Sequence, residues 1–198
     1  MKVESLTLRE VRLTLRHPFE TSFGVTRERR ILLVEVLAGG VSGWGEITAG
    51  EGPFYGPETV ETAWHVVRDF VAPLLVGKTV SAAADVTALL ARIRGHEMAK
   101  AGVESALWDI EAQEKDVPLA KLLGGELAEI PCGVSIGIQK SVAALGESIE
   151  QELAAGYQRI KIKIKPGWDV EVARAVRERF PRIKLMVDAN SAYRLDDA

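Results

Sequence analysis

The spacing of hydrophobic and polar positions divides the chain into two regimes. From Val3 to Arg16 the pattern ends in strict alternation, with Val11, Leu13 and Leu15 on one side and Arg12, Thr14 and Arg16 on the other. That is the period of a strand. Ile31 to Leu37 and Val41 to Ile47 are two more β-branched runs, joined by Ala38-Gly39-Gly40, whose glycines suit a hairpin turn. An antiparallel meander is expected. Between its first two strands, His17 to Arg30 is polar, contains Pro18 and Gly24, and carries Phe19 and Phe23. It is expected as a long loop of the kind that covers sites. Ala49 to Pro57, rich in breakers and bearing Phe54 and Tyr55, reads as a second such loop.

The period then lengthens. Val60, Trp64, Val67, Val71 and Leu74 recur every three to four residues, as do Val86, Leu89, Leu90 and Ile93, and Ala99, Val103, Ala106, Leu107 and Ile110. Three amphipathic helices follow from that spacing, and a short one near Pro118 to Leu123 ends at Gly124-Gly125. From Ile130 onward strands and helices alternate: Cys132 to Ile138, Ser141 to Gly156, Arg159 to Lys165, Asp169 to Phe180 and Ile183 to Asn190. A βαβαβ order dictates a parallel sheet with right-handed crossovers. The chain thus reads as an α+β unit followed by a wound sheet or a (β/α) barrel.

Composition removes several function classes. With 25 Lys plus Arg against 28 Asp plus Glu, the net charge of −3 offers no basic field for nucleic acid. The longest uncharged apolar run, Val71 to Val76, falls short of the ~20 residues that span a bilayer, so no membrane partner is expected. Met1-Lys2-Val3-Glu4 lacks a signal peptide's apolar block, and a cytoplasmic location is expected. The single cysteine, Cys132, rules out an internal disulfide, and His17, His65 and His96 show no zinc spacing. Gly43-Trp44-Gly45 is not a dinucleotide loop, because no helix opens directly after it.

The sharpest chemistry lies in Arg159 to Gly167. Side chains alternate across a strand, so Ile160, Ile162 and Ile164 share one face and Lys161, Lys163 and Lys165 the other. In the next strand Ile183, Leu185 and Val187 pack outward while Met186 and Asp188 join the lysines' face. Lys163 and Asp188 sit near the C-terminal strand ends, where (β/α) barrels assemble their sites. A lysine stripe also suits the wet face of an edge strand. Crossover helices on both sides favour a covered parallel sheet instead. There, inward lysines and an aspartate require each other, a metal or a substrate.

Lys161-Ile162-Lys163, followed one strand-helix unit later by Val187-Asp188-Ala189-Asn190 and preceded by Val134-Ser135-Ile136-Gly137-Ile138, resembles the muconate-lactonizing-enzyme subgroup of the enolase superfamily. The resemblance is closest to its N-succinylamino acid racemase and o-succinylbenzoate synthase branch. Pro18-Phe19 to Ser22-Phe23-Gly24, Gly43-Trp44-Gly45-Glu46, Ala106-Leu107-Trp108-Asp109, Pro118-Leu119 to Leu123-Gly124-Gly125 and Ile164 to Asp169 extend it over essentially the whole chain. It implies an α+β capping domain, Met1 to Glu129, followed by the first three βα units of a TIM-type barrel, Ile130 to Ala198. It also implies magnesium, or another divalent cation such as manganese, on the carboxylate of a small-molecule substrate. A lysine base paired with magnesium is an established pattern of that superfamily and not a deduction from these residues.

By the same resemblance Lys163 is the base that removes the proton α to the carboxylate. Lys161 lies deeper on the same face, where its charge stabilises the enediolate. Asp188 is the first metal ligand, Asn190 and Ser135 line the polar side of the pocket, and Phe19, Phe23 and Tyr55 come from the capping loops. Lys165 takes no role. The implied reaction is racemisation of an N-acylamino acid or dehydration to o-succinylbenzoate; dipeptide epimerisation and muconate cycloisomerisation belong to the same subgroup. A homo-oligomer is expected.

Two other readings stand beside this one. A strand lysine next to another lysine in an α/β barrel also suits a Schiff-base aldolase, which borohydride trapping would reveal. The other is an inactive fragment. Lys163 and Asp188 are a step of roughly 25 residues apart, so the next inward strand ends are expected near ~213 and ~238, past Ala198. The remaining metal ligands and a second acid/base are expected there.

Overall fold

A computed structural model describes residues 1–197 and resolves them into two units: Met1–Thr14 with Glu28–Glu126, and Leu15–Arg27 with the segment from Leu127 onward. In the first, strands β1 (Val3–Thr21), β2 (Gly24–Ala38) and β3 (Val41–Ile47) form a sheet in the order β1-β2-β3. Strands β2 and β3 pair antiparallel around Gly39 and Gly40, both at positive φ, as the glycine pair predicts. The stretch His17 to Arg30 is not a loop. Both strands run through it, leaving only Ser22-Phe23 as the turn, and residues 15–27 group with the second unit. Pro18 is compatible with this because β1 lies at the sheet edge, where a missing N–H leaves no ladder partner unmet.

The helices are α1 (Val60–Val66), α2 (Ala72–Leu75), α3 (Asp85–Leu90), α4 (Glu97–Glu114) and α5 (Leu119–Leu122). Thr59 and Thr62 cap α1 reciprocally. A π-turn over Val67–Val71 connects α1 to α2, whose second residue is Pro73. Proline brings no N–H to an α-helical ladder, and a local π-turn is one way to absorb the change of register. Alternate β2 residues Leu32, Val34, Val36 and Ala38 are buried in one core with Val103, Ala106, Leu107 and Ile110 of α4. The glycines of Gly43-Trp44-Gly45 serve this packing. A Cβ at Gly43 would strike the Ala106 carbonyl and one at Gly45 the Gly102 carbonyl, so β3 lies directly on the helix backbone. Glu58, buried, accepts from Met98 N (2.9 Å) and Ala99 N (3.0 Å) and thereby satisfies the start of α4.

The second unit builds on β4 (Gly133–Ile136), β5 (Arg159–Lys163) and β6 (Lys184–Asp188), all parallel in the order β4-β5-β6. Between them run α6 (Val142–Ala154), capped by Ser141, and α7 (Val170–Arg179), capped by Asp169. Ile160 and Ile162 are fully buried with Leu145 and Ile149 of α6 and Val172 and Val176 of α7, so the isoleucine face of β5 meets the helices as alternation requires. Val187, expected to pack outward, is 47% exposed, because β6 is an edge strand among the described residues. No helix of the described residues is long and apolar enough to cross a membrane.

Candidate active site

Register decides which side chains share the face opposite the helices. Ser135, Lys161 and Met186 stand in one row across β4, β5 and β6, and Lys163 stands opposite Asp188 in the row beyond. Lys163 Nζ donates to Asp188 Oδ2 at 2.8 Å and to Asn190 Oδ1 at 2.5 Å. Lys161 Nζ reaches the same Asp188 oxygen at 3.1 Å. The other oxygen of Asp188 accepts from the backbone N–H of Asn190 at 3.0 Å. Hydrogen bonds from Lys163, then Lys161, then the Asn190 amide hold the Asp188 carboxyl far below the usual carboxylate range. The carboxylate is therefore ionised throughout ordinary pH.

Asn190 can serve both partners because of its backbone. Its φ is 48°, a left-handed conformation that asparagine tolerates better than most residues. It therefore contacts Lys163 itself, where the family resemblance implied only the polar side of the pocket. Ser135 Oγ is buried and has no hydrogen-bond partner. This orphaned hydroxyl stands beside Lys161 in the register, with its hydrogen-bonding capacity unused.

The hairpin tip belongs to this unit. Glu20 O accepts from Ile138 N at 2.9 Å, and Ser22 Oγ donates to the Ala189 carbonyl at 2.6 Å. Gly137 permits the first contact, since a Cβ there would lie 3.0 Å from the backbone of Glu20 and 3.3 Å from the ring of Phe19. Phe19 is half-buried, while Phe23, at the turn, is 54% exposed. Tyr55 lies in the first unit, on the segment between β3 and α1, and is 78% exposed. Lys165, with no role expected, pairs with Glu20 Oε1 at 2.9 Å. Glu20 carries no motif of its own. Its only signal in the sequence is that it offers a charge opposite to an unexplained lysine.

Asp188 presents the hard carboxylate oxygen that magnesium or manganese takes. Among the described residues no group of three or more His, Cys, Asp or Glu side chains could hold a metal ion. These residues thus fit one ligand of such a site and not a complete one.

Fold and site together define an α+β unit and a parallel β/α sheet with a lysine pair and an aspartate at its C-terminal edge. The chain belongs to the mandelate racemase / muconate lactonizing enzyme family, whose N-terminal domain matches residues 3–124; residues 144–198 match the enolase C-terminal domain-like family. It is 49% identical to an o-succinylbenzoate synthase of Geobacillus kaustophilus, over 100% of this chain and 53% of that protein. It is 44% identical to an N-succinylamino acid racemase of Amycolatopsis sp, over 100% of this chain and 54% of the relative. A crystal structure of an enolase-superfamily member from Listeria innocua superposes with a TM-score of 0.93 at 37% identity, covering 100% of this chain and 53% of its own. The chain spans about half the length of the curated relatives it matches.

Proposed function

We propose that the full-length protein abstracts a proton α to a carboxylate to give an enediolate, acting as an N-succinylamino acid racemase, an o-succinylbenzoate synthase, or both. The observation that carries this reading is the Lys161–Asp188–Lys163 cluster at the C-terminal strand ends. Lys163, in its neutral amine form, receives the α-proton on one face of the substrate. It is 7% exposed, and water has little access to compete for the transfer. Lys161 contributes positive charge beside the developing enediolate. Asn190 orients the Lys163 amine through the 2.5 Å contact. Ser135 offers its free hydroxyl to a polar group of the substrate, and Phe19 and Phe23 exclude water from the acyl end.

Asp188 would hold a divalent cation, which when bound supplies the positive charge that makes an α-proton beside a carboxylate removable. The remaining ligands, and the acid/base on the opposite substrate face, are assigned to the part of the relatives that this chain does not span. The carboxylate substrate and a cytoplasmic setting complete the reading.

Incubating the full-length protein with N-succinyl amino acids and magnesium in deuterium oxide should incorporate deuterium at the α-carbon. Lys163→Ala should lower the rate by about 10²–10⁴, the usual contribution of a positioned base. No exchange by the unaltered full-length protein, with either racemase or synthase substrates, would refute the proposal.

A further inference from the structure

Lys165 is the one lysine of the stripe that turns away from Asp188. The chain after β5 closes as Lys165-Pro166-Gly167-Trp168, with Lys165 N donating to Trp168 O (3.2 Å), Trp168 N to Lys165 O (2.8 Å), and Gly167 at φ 80°. Proline then glycine at the two central positions suits a type II turn, which fixes the backbone from which Lys165 extends. Its Nζ meets Glu20 Oε1, 145 residues earlier in the chain, at 2.9 Å. Glu20 lies between Phe19 and the Ser22-Phe23 turn, and its backbone carbonyl already accepts from Ile138 N. Ser22 adds the bond to Ala189, between Asp188 and Asn190. Among the described residues the hairpin tip thus has two neutral anchors, on the segments that follow β4 and β6, and a single charged one, on the turn after β5.

We propose that Glu20 and Lys165 form a charge latch that sets the hairpin tip against the C-terminal ends of β4, β5 and β6. Lys165 is then a positioning residue for Phe19 and Phe23 and not a third participant in proton transfer. This rests on the proposed function only where substrate is concerned; the latch itself is a property of the second unit. Both side chains keep partial exposure, 40% for Lys165 and 36% for Glu20, so the latch is adjustable and weakens as salt rises. The position needs opposite charges but no particular order of them, which makes the idea testable by exchange.

Glu20→Lys and Lys165→Glu, made singly, should each speed amide exchange at Ile138 and across residues 19–24 by roughly two- to fivefold, with α6 and α7 amides unchanged as the control for folding. The double variant restores the pair in reverse and should return protection to within a factor of about two of the original. In the full-length protein, the single variants should raise KM for an N-succinyl amino acid by a similar factor while largely keeping kcat, and the double variant should recover both. Two outcomes overturn the proposal: unchanged tip exchange in the single variants, or a kcat lost with Lys165→Glu and not recovered in the double variant. If no variant and no unaltered protein exchanges α-protons, the functional reading fails, while the amide arm still decides the latch.

Discussion

The two units meet the same difficulty, an ionised side chain inside a packed fold, and resolve it differently. In the first, the charges are carboxylates held chiefly by main chain. Glu58 accepts two amides at the start of α4, and Glu111 accepts Ala83 N at 2.7 Å with Lys115 at 2.6 Å beside it. Backbone donors are fixed by the local fold, so these carboxylates have little freedom to exchange partners. In the second unit one carboxylate, Asp188, holds two lysine side chains and is itself held by an asparagine in a left-handed backbone. Those partners sit on side chains that can change contacts when a ligand arrives. A carboxylate held chiefly by backbone keeps one arrangement, whereas one held chiefly by side chains can exchange its partners.

The contrast should break first at Asp188. Asp188→Asn leaves Lys163 nearly buried without its carboxylate, and should destabilise the second unit by up to about 3 kcal/mol, the low end for breaking a buried pair because Asp188 keeps some exposure. Adding Lys163→Met should recover most of that loss. Denaturant unfolding followed by probes in each unit would measure it, and a cost no larger than that of a surface change would erase the distinction between the units.

Glu58→Ala strips two amides of their acceptor and should cost the first unit about 1–2 kcal/mol. Here no second substitution of a side-chain partner should rescue, since the partners are backbone. Rescue by any such change, seen in thermal unfolding, would contradict the assignment.

The smallest effect is in acid. Both Asp188, through Lys163 above all, and Glu111, through the Ala83 amide above all, have carboxyls held below their ordinary values. A depressed carboxyl contributes stability that is complete above its unfolded pKa, about 4, and is lost as pH falls through the folded one. Stability of both units should therefore be level above about pH 5 and decline in stronger acid. In Asp188→Asn the decline should shrink in the second unit and persist in the first. Calorimetry across pH 2 to 6, with unit-specific fluorescence, would detect the difference.

Much of this was legible along the chain. The period-2 runs, the glycine pair at residues 39 and 40, the helix spacings and the βαβαβ order all survive in the fold, because each depends on which neighbours lie two, three or four residues away. The face shared by Lys161, Lys163 and Asp188 follows from the same rule. Where reading failed, the deciding partners were distant. His17 to Arg30 looked like a loop for its polarity and proline, yet its strands persist on an edge that accepts both. Lys165 had no meaning until Glu20 stood 2.9 Å away.

The sequence by itself determined the periodicities, the parallel wound sheet and the presence of a Lys-x-Lys strand opposite an aspartate strand, since local spacing and handedness suffice for these. Only the tertiary structure decided which oxygen of Asp188 the lysines share, that Asn190 turns back onto Lys163, and that a hairpin from the chain's beginning reaches the strand ends. Those are matters of register, of one residue's left-handed φ, and of contacts across more than a hundred residues, to which no short-range pattern in a chain is sensitive.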